Sequence, residues 1–217
     1  MYKVDLHTHS VASPDGGISP EQYAKILESE KLDYIAITDH DRIDFALGLQ
    51  KALGDRIIVG QEITTSEGEL IGLFLKSRIT PNLSALETAH AIKDQGGLVY
   101  VPHPFEIVRK GIQIDNLQKI TELVDIIEIH NGRALNNKHS LKAATWAKLN
   151  NKSGASSSDA HGYKGLGYSY SVLKEVPARG SLVSSLNMTA LAHRRAPVTT
   201  FLYPKLNRLG KKIGIKK

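Results

Sequence analysis

The chain has 217 residues, 41% of them hydrophobic and 23% charged, which places it among ordinary soluble domains long enough to bury a core without staples. It has no cysteine, so disulfide scaffolds, thiolate metal sites, iron–sulfur clusters and thiol catalysis are excluded, and any metal must be held by histidine and carboxylate. The net charge of +6 is uneven: residues 1–175 carry a net −3, and beyond Glu175 there are nine basic residues and no acidic one.

In chain order, residues 2–7 predict a first strand. Ser19-Pro20-Glu21-Gln22 then supplies a capping Ser, a Pro at N1 and a Gln at N3 for a helix carrying Tyr23, Ile26 and Leu27 to near Lys31. A strand follows at 34–38. Asp41 or Asp44 opens a helix with Leu47, Leu49 and Leu53, stopped by Gly54. Residues 57–60 predict the next strand, and 62–75 reads as a hairpin around Ser66-Glu67-Gly68, with strand at 70–75. A helix over 83–95 ends at Gly96-Gly97, and strands are expected at 98–101 and 126–129. Then come a helix over 138–149, a strand at 154–157, a helix over 181–193 and a weak strand at 198–202. Several strands are apolar without alternation, as in sheets covered on both faces. Strand–helix alternation of this length implies an α/β fold with a largely parallel sheet.

The chemistry gathers where strands end. His7 and His9, two apart on an extended chain, project to one side and can share an ion. Asp39-His40-Asp41, Glu62, His103, Glu128-Ile129-His130 and Asp159-Ala160-His161 close later strands, so six strands end in His, Asp or Glu. In a parallel α/β barrel those ends converge on one face. Imidazoles and carboxylates without thiolate suit zinc, manganese or iron rather than calcium, and so many candidates imply two or three ions, with Glu62 a sensible bridge. Clustered cations lower the pKa of a water and clamp the oxygens of an in-line displacement, which is what phosphate ester hydrolysis needs. Asp39 reads as a partner orienting an imidazole, and Asp15, in Ser13-Pro14-Asp15-Gly16-Gly17, as a turn residue or ligand. Arg133 is placed to meet a phosphate, with Arg109 and Lys110 weaker candidates. His90, His139 and His193 read as surface or core histidines.

The ordered set His7-Thr-His9, Thr38-Asp39-His40-Asp41, Gly60-Gln-Glu62, Pro102-His103-Pro104 and Ser158-Asp159-Ala160-His161 resembles the PHP (polymerase and histidinol phosphatase) family over positions 2 to about 165. The resemblance implies a distorted (β/α)7 TIM-like barrel, a trinuclear site usually holding manganese, zinc or iron, and phosphoesterase activity. By position, His7, His9, Glu62 and Asp159 correspond to the ligands of one ion, and Asp15, His40 and His161 to those of a second. Glu62 and His103 serve a third. Glu69 stands where many members have His; its harder carboxylate favours manganese or magnesium over zinc there. Asp39, His40 and Arg133 are the catalytic candidates.

The short segment between Leu75 and Leu98 leaves no room for a capping insertion, so one domain over 1–204 is expected, with an open site and a basic tail over 205–217. The expected substrate is a small phosphorylated metabolite or nucleotide. The competing readings are an exonuclease on RNA or DNA held by the basic tail, an amidohydrolase-type deaminase, and a non-catalytic metal-binding accessory module. No apolar run approaches the roughly 20 residues of a membrane span, and Lys3, Asp5, His7 and His9 interrupt any leader. The expectation is a cytoplasmic protein without a membrane partner.

Overall fold

A computed structural model of the chain describes residues 1–134, 137–186 and 191–214. Its strands are β1 (Tyr2–Asp5), β2 (Tyr34–Ile37), β3 (Ile57–Thr65), β4 (Gly68–Leu73), β5 (Leu98–Val101), β6 (Ile126–Asn131), β7 (Ser153–Ser157), β8 (Ser169–Leu173) and β9 (Leu191–His193). The helices are α1 (Pro20–Glu28), α2 (Asp44–Leu53), α3 (Ala85–Asp94), α4 (Ile114–Lys119), α5 (Lys138–Leu149), α6 (Leu182–Ser185) and α7 (Tyr203–Lys212). The sheet runs β7-β6-β5-β4-β3-β2-β1-β8-β9. Pairs β1–β2, β2–β3, β5–β6 and β6–β7 are parallel, whereas β4 is antiparallel to both neighbours, as the hairpin around Ser66-Glu67-Gly68 requires. That reversed strand distorts the barrel. A bridge between Thr8 and Ala160, with His9 N donating to Ala160 O at 2.9 Å, draws the ends of β1 and β7 together and nearly closes it.

Alternation along the strands sorts the core into two layers. Val4, Ala36, Ile58, Ile71, Tyr100 and Ile126 form the cluster inside the barrel. Ile35, Ile37, Ile57, Val59, Val99 and Ile127 pack outward with Tyr23, Ile92 and Trp146 of the helices. Burial on both faces is why these strands lack a polar side. Local signals set α1 and α3: Ser19 and Ser84 each complete a capping box, with Gln22 and Glu87.

Several of the expected elements differ in the structure. The helix expected over 181–193 is only the single turn α6, and β9 follows; residues 187–190 lie outside the described set. Val198–Leu202 is a 3-10 turn rather than a strand, leading straight into α7. Of the two candidates for opening α2, Asp44 is its first residue, with Ile43 at the N-cap and Gly54 at the C-cap, while Asp41 accepts from Thr64 N and Oγ1 at 2.8 and 3.0 Å. Finally, β8 was not expected. Its inward positions Ser169 and Ser171 are buried but polar, so the period-2 signal carries little hydrophobicity. The expected tail boundary at 204/205 falls inside α7, which packs on the barrel. No helix of the described residues is long and apolar enough to cross a membrane.

At the seam between β7 and β8, Ser171 Oγ accepts from Ser156 N at 3.0 Å and donates to Ser156 O at 3.1 Å. Ser171→Ala strips both partners from a buried backbone position and should cost about 1–3 kcal/mol in urea unfolding.

Candidate metal centre

Glu62, near the middle of β3, sits at the carboxyl end of the barrel with almost no solvent contact. Its Oε1 meets His103 Nε2 at 3.0 Å, and its Oε2 meets His9 Nε2 at 3.2 Å, His40 Nδ1 at 3.3 Å and His7 Nε2 at 3.4 Å. Three strand ends, those of β1, β2 and β5, therefore deliver four imidazoles to one carboxylate. Asp159 Oδ1 lies 3.7 Å from His7 Nε2 and 3.6 Å from His9 Nε2; Asp15 Oδ2 lies 3.6 Å from His40 Nε2 and 3.4 Å from His161 Nε2. Glu69, on β4 opposite the β3 arm of the hairpin, points back toward His40 and His103 at 3.9 Å. The ligand atoms group, each set within 4.8 Å, as His9-Asp15-His40-His161, His7-His9-Asp159, His7-Glu62-His103 and His40-Glu62-Glu69. All nine residues expected as ligands are thus brought together. The grouping differs in detail from the one implied by position, since His9 also joins the Asp15 set and His40 the Glu69 set.

The backbone bends to achieve this. His103 and Asp159 take positive φ values of 28° and 51°, a region that non-glycine residues rarely occupy and that structures tolerate mainly at functional positions. Gly16 is required by close approach: a Cβ there would lie 2.2 Å from Ser10 O.

Around the cluster stands a layer of orienting groups. Glu128 Oε2 accepts from His103 N at 2.6 Å and Asn131 Nδ2 at 2.8 Å, while Oε1 accepts from Tyr100 OH at 2.9 Å and meets His7 Nδ1 at 3.2 Å. Arg109 Nη1 donates to Asp159 Oδ2 and Asn131 Oδ1, both at 2.6 Å, with Glu106 holding the rest of its fork. Sequence reasoning noted Glu128 only as part of a strand end; its signal was a lone carboxylate inside Ile126-Ile127-Glu128-Ile129. Arg133 Nη1 lies 3.4 Å from both Asp159 oxygens and from His161 Nδ1. Asp39 does not orient an imidazole. Its oxygens are taken by Ser10 N at 2.7 Å and Ser10 Oγ at 2.5 Å, so it fixes the loop after His9 instead. His130 turns away from the cluster and stacks on His193, with ring centroids 4.8 Å apart.

Without a cation, protons neutralise the cluster. Burial opposes charge on His7, but Asp159, Glu62 and Glu128 outweigh it and hold its pKa well above the usual imidazole range. Burial likewise opposes charge on His40, yet Glu62 and Asp15 lift it to about 10. Burial also works against ionisation of Glu62, but His40 and His7 keep its pKa well below the carboxylate range. His161 is pushed down to about 3 by burial and by the positive charge of His9 and Arg133, leaving a neutral imidazole able to ligate. Burial and the neighbouring Glu62 charge push Glu69 up to about 8. A dense set of buried imidazoles and carboxylates, two of whose ring nitrogens (His7 and His9 Nε2) face each other at 3.1 Å, is the donor chemistry that divalent cations take. The residues fit the group.

Asp5 lies just below. Its Oδ1 accepts from Ser158 N at 3.0 Å, its Oδ2 is buried without a partner among the described residues, and burial raises its pKa to about 7. A carboxyl with a raised folded pKa binds a proton that the unfolded chain releases, so stability falls as pH rises from about 4 through 7. In metal-free protein, Asp5→Asn should gain stability on wild type by roughly 2–3 kcal/mol between pH 5 and pH 8. Urea unfolding at the two pH values measures it; a pH-independent difference would contradict the assignment.

Comparisons with known proteins bear on the family and the fold. Residues 5–163 match the PHP domain family. The protein MJ0417 of Methanocaldococcus jannaschii is 32% identical over 181 residues, spanning 80% of this chain and 71% of its own. Among solved structures, a two-domain protein from Bacteroides vulgatus containing a predicted PHP-like metal-dependent phosphoesterase superposes with a TM-score of 0.69 at 20% identity, over 95% of this chain and 69% of its own. The lesion-specific endonuclease PfuEndoQ from Pyrococcus furiosus gives 0.59 at 17% identity, over 84% of this chain and 56% of its own. The two structural likenesses carry the distorted barrel, while the match over most of the chain's length carries the lineage: this chain belongs to the PHP domain family.

Proposed function

We propose that the chain is a metal-dependent phosphoesterase that hydrolyses phosphate esters. The observation that carries this reading is the buried Glu62 carboxylate, whose two oxygens both face imidazoles and which belongs to two of the four candidate ligand sets. Two or three ions of manganese, zinc or iron are the cofactors that fit: His7, His9, Glu62 and Asp159 would hold one, Asp15, His40 and His161 a second, and Glu62, Glu69 and His103 a third. When bound, they supply Lewis acidity that activates water and neutralises phosphoryl oxygens. The chain's own residues do the rest. Glu128 and Asn131 hold the His7 ring, the His103 backbone and the Asp159 carboxylate in place; Arg109 and Arg133 offset the charge of Asp159 and border the pocket. That pocket, about 410 Å³ and open at its mouth, is lined by the candidate ligands Asp15, His40 and Glu62 and by the cations Lys110, Arg133 and Arg208, which suit an anionic ester.

The substrate class is a small phosphorylated molecule or nucleotide. A nuclease is the second reading, favoured by the basic C-terminal stretch and by the likeness to an endonuclease. Removing residues 205–217 does not separate the two, because α7 carries Arg208 of the pocket. The exposed Lys205 and Lys212 do: reversing both to Glu should weaken oligonucleotide binding and flatten its salt dependence if the substrate is nucleic acid, and leave a small ester unaffected.

Assay of manganese-reconstituted protein against aryl phosphate mono- and diesters, nucleotides and oligonucleotides should find phosphoester hydrolysis, and Glu62→Gln should reduce it by at least about a hundredfold. A metal-replete protein inert towards the whole panel would contradict the proposal. Glu69→Ala should lower metal content by up to one ion per chain; unchanged metal analysis would remove Glu69 from the ligand set.

A further inference from the structure

Helix α7 is docked by its polar side. A surface helix ordinarily buries its apolar stripe, but here Leu206 and Leu209 are 53% and 55% exposed, together with Leu202 and Ile213, while the buried residue is Asn207. Burying an amide costs free energy unless its hydrogen bonds are met, and what meets them lies in the site. Asn207 Nδ2 donates to Asp15 O at 2.9 Å and to His161 O at 2.8 Å, so one side chain ties together two loops far apart in the sequence. Arg208 Nη2 donates to Asp15 Oδ2 at 2.7 Å, and the Lys211 ammonium donates to Ser13 O and to Gly16 O.

Two glycines make room for this docking. A Cβ at Gly17 would lie 2.8 Å from Asn207 Nδ2, and a Cβ at Gly162 would lie 2.7 Å from the Tyr203 ring. Each adjoins a candidate ligand, Gly17 the Asp15 loop and Gly162 His161 itself. Helix and loops are therefore fitted to each other.

The cations at the pocket rim are not equally committed. Arg109 spends its fork on Glu106, Asn131 and Asp159 and is largely buried. Arg208 engages only Nη2 among the described residues, its side chain is 61% exposed, and it lines the pocket. Its remaining N–H donors are available to a second anion beside Asp15, in the fork geometry that suits phosphate.

We propose that α7 is a working part of the site: Asn207 is a positioning residue that fixes the Asp15 and His161 loops relative to each other, and Arg208 contacts the substrate's phosphate. The Arg208 assignment rests on the phosphoesterase reading; the Asn207 assignment does not. The helix that reads in sequence as a loose polyanion-binding tail thus completes the pocket wall.

The test uses full-length protein and two readouts that need no turnover. Manganese binding is measured by equilibrium dialysis with metal analysis, and inorganic phosphate binding to the manganese-loaded protein by calorimetry. Arg208→Ala should keep its manganese and weaken phosphate binding by roughly tenfold or more, with Arg208→Lys intermediate. Asn207→Ala should weaken manganese binding by about ten- to a hundredfold. Gly162→Ala crowds Tyr203 without removing any contacting side chain and should move manganese affinity the same way, which covers the case in which Asn207→Ala does not fold cooperatively. Phosphate affinity unchanged in Arg208→Ala overturns the substrate contact; manganese affinity unchanged in Asn207→Ala, or in Gly162→Ala if the first is unfolded, overturns the positioning role. Failure of the phosphoesterase reading would look different: intact manganese and phosphate binding in wild type with no ester cleaved.

Discussion

A buried carboxylate must be neutralised by something, and at Glu62 four imidazoles are brought within 3.4 Å to do it. That requirement organises the rest of the molecule. Parallel strands with both faces buried bring their carboxyl ends to one rim, and the reversed strand β4 delivers Glu69 to the same rim from the opposite direction. Protons on His7 and His40 can balance the negative charge, but this leaves ring nitrogens facing one another and a buried His161 kept neutral beside positive neighbours. Divalent cations satisfy the same donors with fewer compromises.

The supporting layer is as specific as the donors. Glu128 alone meets the His7 ring, the His103 backbone, Asn131 and Tyr100, so one residue fixes the geometry of four groups on β1, β5 and β6 or at their ends. Asp39 pins the loop after His9 through Ser10, and Arg109 pins Asp159. Donors held this way lose little entropy when they bind, which favours tight coordination and a fixed substrate orientation.

Much of this was legible in the sequence because strand ends carry a compositional signature. The apolar runs around Ile35, Ile58, Val99 and Ile127 located the barrel, and the polar residue closing each run located the rim; Ser66-Glu67-Gly68 announced the one antiparallel hairpin near the site. Legibility failed where burial is polar. Strand β8 faces inward with Ser169 and Ser171, Glu128 sits inside an apolar strand, and α7 turns leucines outward and Asn207 inward, so in each case the hydrophobic pattern points the wrong way. Asp39 misleads for another reason: adjacency to His40 in sequence says nothing about which neighbour its oxygens reach, and they reach Ser10. Arg109 spends its guanidinium on Glu106, Asn131 and Asp159, lying 2.6 Å from Asp159 against 3.4 Å for Arg133, an orienting role that its place in a loop does not reveal.

The central claim is that these scattered donors form one polynuclear cation site. Anomalous diffraction from crystals grown with manganese tests it most directly. Two or three manganese peaks are predicted at the carboxyl end of the barrel, at least one bonded to Glu62 and others reached by Asp15, His161 and Asp159. Ordered protein in saturating manganese with no anomalous density in this pocket would contradict the account.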